Sequence, residues 1–192
     1  MAGIPADLKA PEEMGQEDIV NVAKGFVKLM NQEGEAGKQS EALVEALMTG
    51  TAIGDIVGLK PKDLELIYSM GRTYYQNGKY DDAETIFRFI NLMEYSDPKY
   101  KMALAATLQM KEEWFEAAQV YAFAAMFNID DPRPHLQAGF CLMNLGMNKE
   151  ARAALEASIE ATDATEVTRM KAKALLTKLD SETEQQAAAE TA

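Results

Sequence analysis

The sequence predicts an all-α fold: three tandem helix–turn–helix repeats, extra helices before them, and one capping helix after them. Two observations predict it. Small residues recur every 34 positions, at Gly71, Ala105 and Gly139 and again at Ala83, Ala117 and Ala151. Larger residues keep the same step, at Phe87, Tyr121 and Leu155 and at Tyr80, Trp114 and Asn148, while Asp97-Pro98 returns as Asp131-Pro132.

A period of 34 is the length of one tetratricopeptide unit. The predicted architecture is therefore a tetratricopeptide-like solenoid. One such hairpin cannot bury its apolar faces alone, so the units stack and present a groove.

Taken in order, residues 1–14 hold Pro5 and Pro11 without an apolar period and read as a flexible arm. Residues 15–59 read as N-terminal helices. From Gln16 to about Asn31, Ile19, Val22, Ala23, Phe26, Val27 and Met30 fall on one helical stripe. Ser40 suits an N-cap for a second, short helix carrying Leu43, Val44 and Leu47. The segment Gly50 to Gly54 reads as a break, and Gly58 and Pro61 punctuate the entry to the repeats.

Residues 60–165 hold the repeats, at about 64–97, 98–131 and 132–165. Gly78 suits a left-handed helix end in the first turn, and Glu112 and Gly146 occupy the same slot later. Gly71, Ala105 and Gly139 are small because the two helices of a repeat cross there. Phe87, Tyr121 and Leu155 fill the space beside them, large against small. Asp97 and Asp131 read as N-caps, with Pro98 and Pro132 at the first helical position, where a missing N–H costs nothing. Pro134 disfavours helical geometry at Arg133, so the third repeat's first helix is expected to start one or two residues late. Residues 166–179 read as the capping helix, with a stripe of Val167, Met170, Ala174, Leu175 and Leu179 and a wet face of Lys171, Lys173 and Lys178. Residues 180–192 carry four acids and no base and read as a disordered acidic tail.

The bulk properties narrow the function. The chain has 192 residues, 47% of them hydrophobic, enough for a substantial core. Its net charge is −12 and it has no run of Lys or Arg, which argues against nucleic acid. The start lacks a basic segment followed by an apolar one, and no apolar stretch reaches about 18 residues. With a single cysteine, Cys141, these features place the chain in a reducing cytosol, not inserted in a membrane.

Chemistry is sparse. The one histidine, His135, excludes paired-histidine metal motifs, and there is no CxxC, phosphate loop or GxSxG. Cys141 with His135 reads as a buried small residue near a surface histidine rather than a nucleophilic pair. No enzymatic activity, metal or cofactor is expected.

The outward faces of the first helices are more informative. They carry Tyr68, Arg72 and Tyr75 in repeat one, Met102, Ala106 and Gln109 in repeat two, and Leu136, Phe140 and Met143 in repeat three. A wall meant only for water would be polar. This one is apolar, as a binding surface is, and an extended segment could lie on it with Arg72 and Gln109 bonding its carbonyls. The other reading is that the chain's own terminal helices cover it.

The run from Leu64 to Met93 resembles the class II chaperones of bacterial type III secretion, which hold translocator proteins. The likeness lies in Leu64, Tyr68, Ser69, Tyr75, Gln76, Gly78, Lys79, Tyr80, Ala83 and Phe87, then in Asp131-Pro132-Arg133 and Ala138 to Cys141. It covers roughly residues 41–165. The resemblance implies a cytoplasmic chaperone that binds an extended segment of a hydrophobic translocator and keeps it soluble and export-competent. It implies ligand contacts at Tyr68, Arg72, Tyr75, Met102, Gln109, Leu136 and Phe140. This chain carries Arg72 where the family often has an aromatic, which would make one pocket polar. It also implies a homodimer formed through the N-terminal helices, where the stripe Ile19, Val22, Phe26 and Met30 would serve as interface or fold back on repeat one. The alternatives are a generic tetratricopeptide scaffold between folded proteins and a needle-subunit chaperone of the same system.

Overall fold

The computed structural model of the chain describes Gly54 and residues 59–190. Residues 59–190 form seven helices and no strand. They are α1 (Pro61–Gln76), α2 (Tyr80–Met93), α3 (Pro98–Met110), α4 (Trp114–Phe127), α5 (Pro132–Asn144), α6 (Asn148–Glu160) and α7 (Glu166–Glu190). The chain divides into two compact units, Met1–Ser96 and Asp97–Ala192.

In the first unit α1 pairs with α2. Pro61 opens α1, and the Asp63 carboxylate reaches back to accept from the Lys60 N–H at 2.9 Å. Gly71 faces α2 so closely that a Cβ there would stand 2.6 Å from Phe87 Cε1 and 2.9 Å from Ile86 Cγ2. Phe87, Ile86 and Ile90 are buried in return, each worth about 1.5–3 kcal/mol of apolar transfer. Gly54 differs from the expected break. It is helical, accepts from the Leu59 N–H at 2.8 Å, and would bring a Cβ to 3.1 Å from the Met93 carbonyl oxygen.

In the second unit α3 packs on α4, α4 on α5, α5 on α6, and α7 on α6 with a smaller contact to α5. Asp97 and Asp131 cap α3 and α5, accepting from the N–H of Lys99 at 2.8 Å and of Arg133 at 2.9 Å. Helix α5 starts at Pro132, not later as expected. Pro134 sits in the first turn, where its missing donor has no intrahelical partner, and the Arg133 guanidinium grips Asp131 at 2.6–3.0 Å. Outward from this core, α4 leaves Phe123, Met126 and Phe127 exposed. The Lys101 ammonium, on a residue only 3% exposed, lies 5.2 Å from the Phe123 ring centre and 4.4 Å from that of Phe127.

The three turns close identically. The N–H groups of Lys79, Glu113 and Met147 donate to the carbonyls of Tyr74, Leu108 and Leu142 at 2.9, 2.9 and 3.0 Å. The residue before each donor is left-handed: Gly78 at φ 73°, Glu112 at 61° and Gly146 at 71°.

The C-terminal expectations need correction. Helix α7 does not stop at 179 but runs to Glu190, so 180–190 is not a disordered tail. Residues 180–190, Glu, Gln and Ala above all, are strong helix formers with no Gly or Pro to stop them. Leu179 is buried and Arg152 pairs with Asp180, tying the middle of α7 to α6. The buried face also differs. Ala172 and Leu179 are buried and Leu175 and Leu176 half-buried, whereas Val167 and Met170 are each 62% exposed and Ala174 is exposed. Two apolar stripes compete on this helix, and small Ala172 lets α7 approach Leu136 and Leu155. Lys171, Lys173 and Lys178 do form the wet face.

Candidate functional site

In the first unit the outward face of α1 carries Tyr68, Arg72 and Tyr75, placed by the i, i+4, i+7 register of one helix. Tyr68 is half-buried, its ring 5.8 Å from Phe87 at a tilt of 48°. Tyr75 is half-buried and meets Tyr80 edge-on at 5.6 Å. Burial, and then the neighbouring Tyr80, push the Tyr75 phenol above its ordinary value, so it stays protonated and able to donate. Arg72 between them is exposed. The result is two aromatic rings held by second-helix partners, with an exposed guanidinium between them.

In the second unit Met102, Ala106 and Gln109 share one face of α3, all half-buried. Gln109 Oε1 accepts from the Tyr121 hydroxyl at 2.9 Å, and Cys141 Sγ lies 3.9 Å from the same oxygen. Phe140 on α5 is half-buried and packs edge-on to Trp114 at 6.0 Å.

Leu136 and Met143 fare differently. Leu136 is 8% exposed and belongs to a core cluster with Leu155 and Ala172, against which Met143, Ile159, Leu175 and Leu176 pack. Of the nine first-helix residues, Leu136 therefore does not stand on an open wall. Helix α7 supplies apolar area that draws Leu136 inward and partly covers Met143. Self-cover thus holds at the third repeat's end of the strip, while Met102, Ala106, Gln109 and Phe140 stay half-buried.

The partners Tyr80, Trp114 and Tyr121 were not among the candidates. Their signal was present, since Tyr80 and Trp114 share one slot of the 34-residue repeat and Tyr121 stands where Phe87 and Leu155 stand. The stripe Ile19, Val22, Phe26 and Met30 lies outside the described residues.

Cys141 is buried, and burial pushes its thiol up to about 12, the reverse of an activated nucleophile. His135 is pushed down by burial against the opposing pull of Asp131 and is neutral at pH 7. Among the described residues no cluster of three His, Cys, Asp or Glu could hold a metal, and no helix is long and apolar enough to cross a membrane.

Helical hairpins with these faces define a tetratricopeptide protein, and the tetratricopeptide repeat model matches residues 64–94 and 98–127. Chaperone protein SicA of Salmonella typhimurium is 32% identical over 124 residues, 65% of this chain and 75% of that protein. Low calcium response locus protein H of Yersinia pestis is 28% identical over 127 residues, 66% of this chain and 76% of that protein. The crystal structure of PcrH in complex with the chaperone binding region of PopD superposes with a TM-score of 0.59 at 28% identity, covering 67% of this chain and 97% of PcrH. The chain belongs to the class II chaperones of type III secretion translocators.

Proposed function

We propose that this protein is a bacterial cytoplasmic chaperone that holds an extended, apolar segment of a type III secretion translocator against the first-helix faces of its repeats. It keeps the translocator soluble and competent for export, and it uses no catalytic step, metal or cofactor. The observation that carries this reading is the match along nearly all of PcrH, a protein seen holding the chaperone binding region of PopD. Half-buried Tyr68, Tyr75, Met102 and Phe140 supply apolar area toward such a segment. Each 100 Å² removed from water yields about 2.5 kcal/mol. Association and ordering offset about 4–15 kcal/mol of that, leaving a complex that can be unloaded at the export machine.

Replacing Tyr68 and Tyr75 together by Ala tests this. The helical circular dichroism is expected to persist, because both rings lean on Phe87 and Tyr80 from outside the core. Capture of the co-expressed translocator is expected to fall severalfold. Capture at the wild-type level would refute the assignment of this face. Binding only to folded proteins, with none to extended peptides, would favour a scaffold instead.

The stripe Ile19, Val22, Phe26 and Met30 is proposed as the homodimer interface. Phe26→Glu then gives a helical monomer in sedimentation. An unfolded product would instead assign the stripe to the protomer's own core.

A further inference from the structure

We propose that the outer face of α7 is a self-contact: two copies of the chain pair through it, antiparallel, with the basic half of one helix on the acidic half of the other. This contact is separate from the stripe assigned above to the homodimer and from the first-helix faces assigned to cargo.

Helix α7 is longer than its own protomer can cover. It has 25 residues against 13 in α6, on which it packs, or about 38 Å of helix against about 20 Å. Among the described side chains its last buried one is Leu179, next to the Asp180 that pairs with Arg152. Residues 180–185 are then exposed, except for half-buried Glu182. A helix end without an apolar seat is marginal in water.

The face turned away from α6 is exposed along its described length. Val167 and Met170 are each 62% exposed. Lys171, Ala174, Thr177, Ser181 and Glu184 continue that stripe at steps of three and four, all exposed. Large apolar side chains stand at its start. Small Ala174, Thr177 and Ser181 follow, and they allow a second helix to approach closely.

The charges are sorted along the helix. Arg169, Lys171, Lys173 and Lys178 come first, and Asp180, Glu182 and Glu184 come after them. This order opposes the helix dipole, which favours acids at the start and bases at the end. The Lys178–Glu182 pair, at 3.6 Å, also has the weaker of the two i, i+4 orientations. The stability of a single helix therefore does not account for the sorting.

Turned end for end, the face complements itself. A two-fold axis at Thr177 sets Lys171 and Lys173 opposite positions 183 and 181 of a second copy, beside its Glu182 and Glu184. Lys171, Lys173 and Glu184 make no ion pair among the described residues. The same axis lays Val167 and Met170 along the far turns, from position 184 onward, that their own protomer leaves uncovered. Each contact occurs twice, as an isologous pairing requires. The net charge of −12 repels a second copy elsewhere. From 166 to 184, with Glu166 counted, α7 has four acids and four bases, so that repulsion is absent here.

The test uses the full-length chain carrying Thr177→Cys. Cys141 is buried, so the new thiol is the one that reacts. Mild oxidation is expected to link two chains roughly tenfold faster than it links Glu156→Cys, an exposed control on α6, because the axis brings the thiols together. In the Thr177→Cys background, Lys171→Glu with Lys173→Glu makes α7 acidic throughout, and Glu182→Lys with Glu184→Lys makes it basic throughout. Both changes suit the helix dipole, so both chains fold. Each alone is expected to slow linkage roughly tenfold, through several small ion-pair losses. Mixed, they should regain it as mixed pairs, told apart by a tag on one chain. Capture of the translocator is expected to be unchanged in all of these chains, so the self-contact and the chaperone reading stand or fall separately. Linkage of Thr177→Cys no faster than the control would overturn the self-contact. A mixture that links no better than its components would do the same. Unchanged linkage in the charge-reversed chains, with translocator capture lost, would overturn it and assign the face to cargo.

Discussion

A methyl group on Gly139 would stand 2.7 Å from Leu155 Cγ, 2.8 Å from its Cδ2 and 3.3 Å from the Ala151 carbonyl oxygen. The missing side chain of one helix is thus the socket for a side chain of the next. Ordinarily Gly→Ala inside a helix gains about 0.5–1 kcal/mol. Here overpacking, at about 1–3 kcal/mol, opposes that gain. Gly139→Ala is expected to lower stability by about 1–2 kcal/mol in urea unfolding. The same change in a Leu155→Ala background should be neutral or stabilising, and additive effects of the two changes would contradict the contact. Gly71→Ala should behave likewise against Phe87, its Cβ meeting the ring at 2.6 Å.

Glu112 occupies the left-handed slot that Gly78 and Gly146 fill in the flanking repeats. A side-chain-bearing residue in that conformation costs about 1–2 kcal/mol, and glycine gives back about 0.5–1 kcal/mol in unfolded-chain entropy. Glu112→Gly is therefore expected to raise stability by about 0.5–1 kcal/mol, seen as a rise of a few degrees in the melting temperature.

Asp131 gives a pH signature. Burial alone would raise its carboxyl, but the side-chain and backbone hydrogen bonds from Arg133 outweigh that and hold it below the usual carboxylate value. A depressed folded-state pKa stabilises above the unfolded value and ceases to do so as pH falls through the folded one. Asp131→Asn keeps an N-cap and removes only the charge. Its deficit relative to wild type should be constant above about pH 5 and vanish well below the ordinary carboxylate pKa near 3.9. The Arg133 side chain is 72% exposed, so the deficit should stay under about 1 kcal/mol. Denaturant titrations at several pH values measure it.

The repeat portion of the fold was readable because its determinants are local and periodic. Asp97 and Asp131 cap, Gly78 and Gly146 turn left-handed, and Gly71 and Gly139 make room, each for a reason carried by its own residue type. Leu136 was not readable. Whether a leucine on a first-helix face stays open depends on what packs there next, and α7 presents Ala172 to it. The direction of α7 was ambiguous for a related reason, since Val167–Met170 and Ala172–Leu179 are both apolar at helical spacing. The extension of α7 to Glu190 was not readable either, since four acids without a base suit a solvated tail while the Glu, Gln and Ala among them suit a helix. At the candidate site, spacing alone places Tyr68, Arg72 and Tyr75 on one face of α1, and Met102, Ala106 and Gln109 on one face of α3. The bond between Tyr121 and Gln109 is not readable that way, because it joins positions 12 apart on two helices.

Cys141 supplies a last measurement. With its thiol buried and pushed up to about 12, almost none is thiolate at neutral pH. Iodoacetamide should modify the native protein far more slowly than the urea-unfolded chain, and equal rates would show that the second unit opens readily around α5. The chain has only this one cysteine, so nature has left a silent background for chemical labelling. A fluorophore attached through a new cysteine on the exposed edge of any helix would report from that place alone, and cargo loading could be followed in real time without first stripping the protein of its own sulfur.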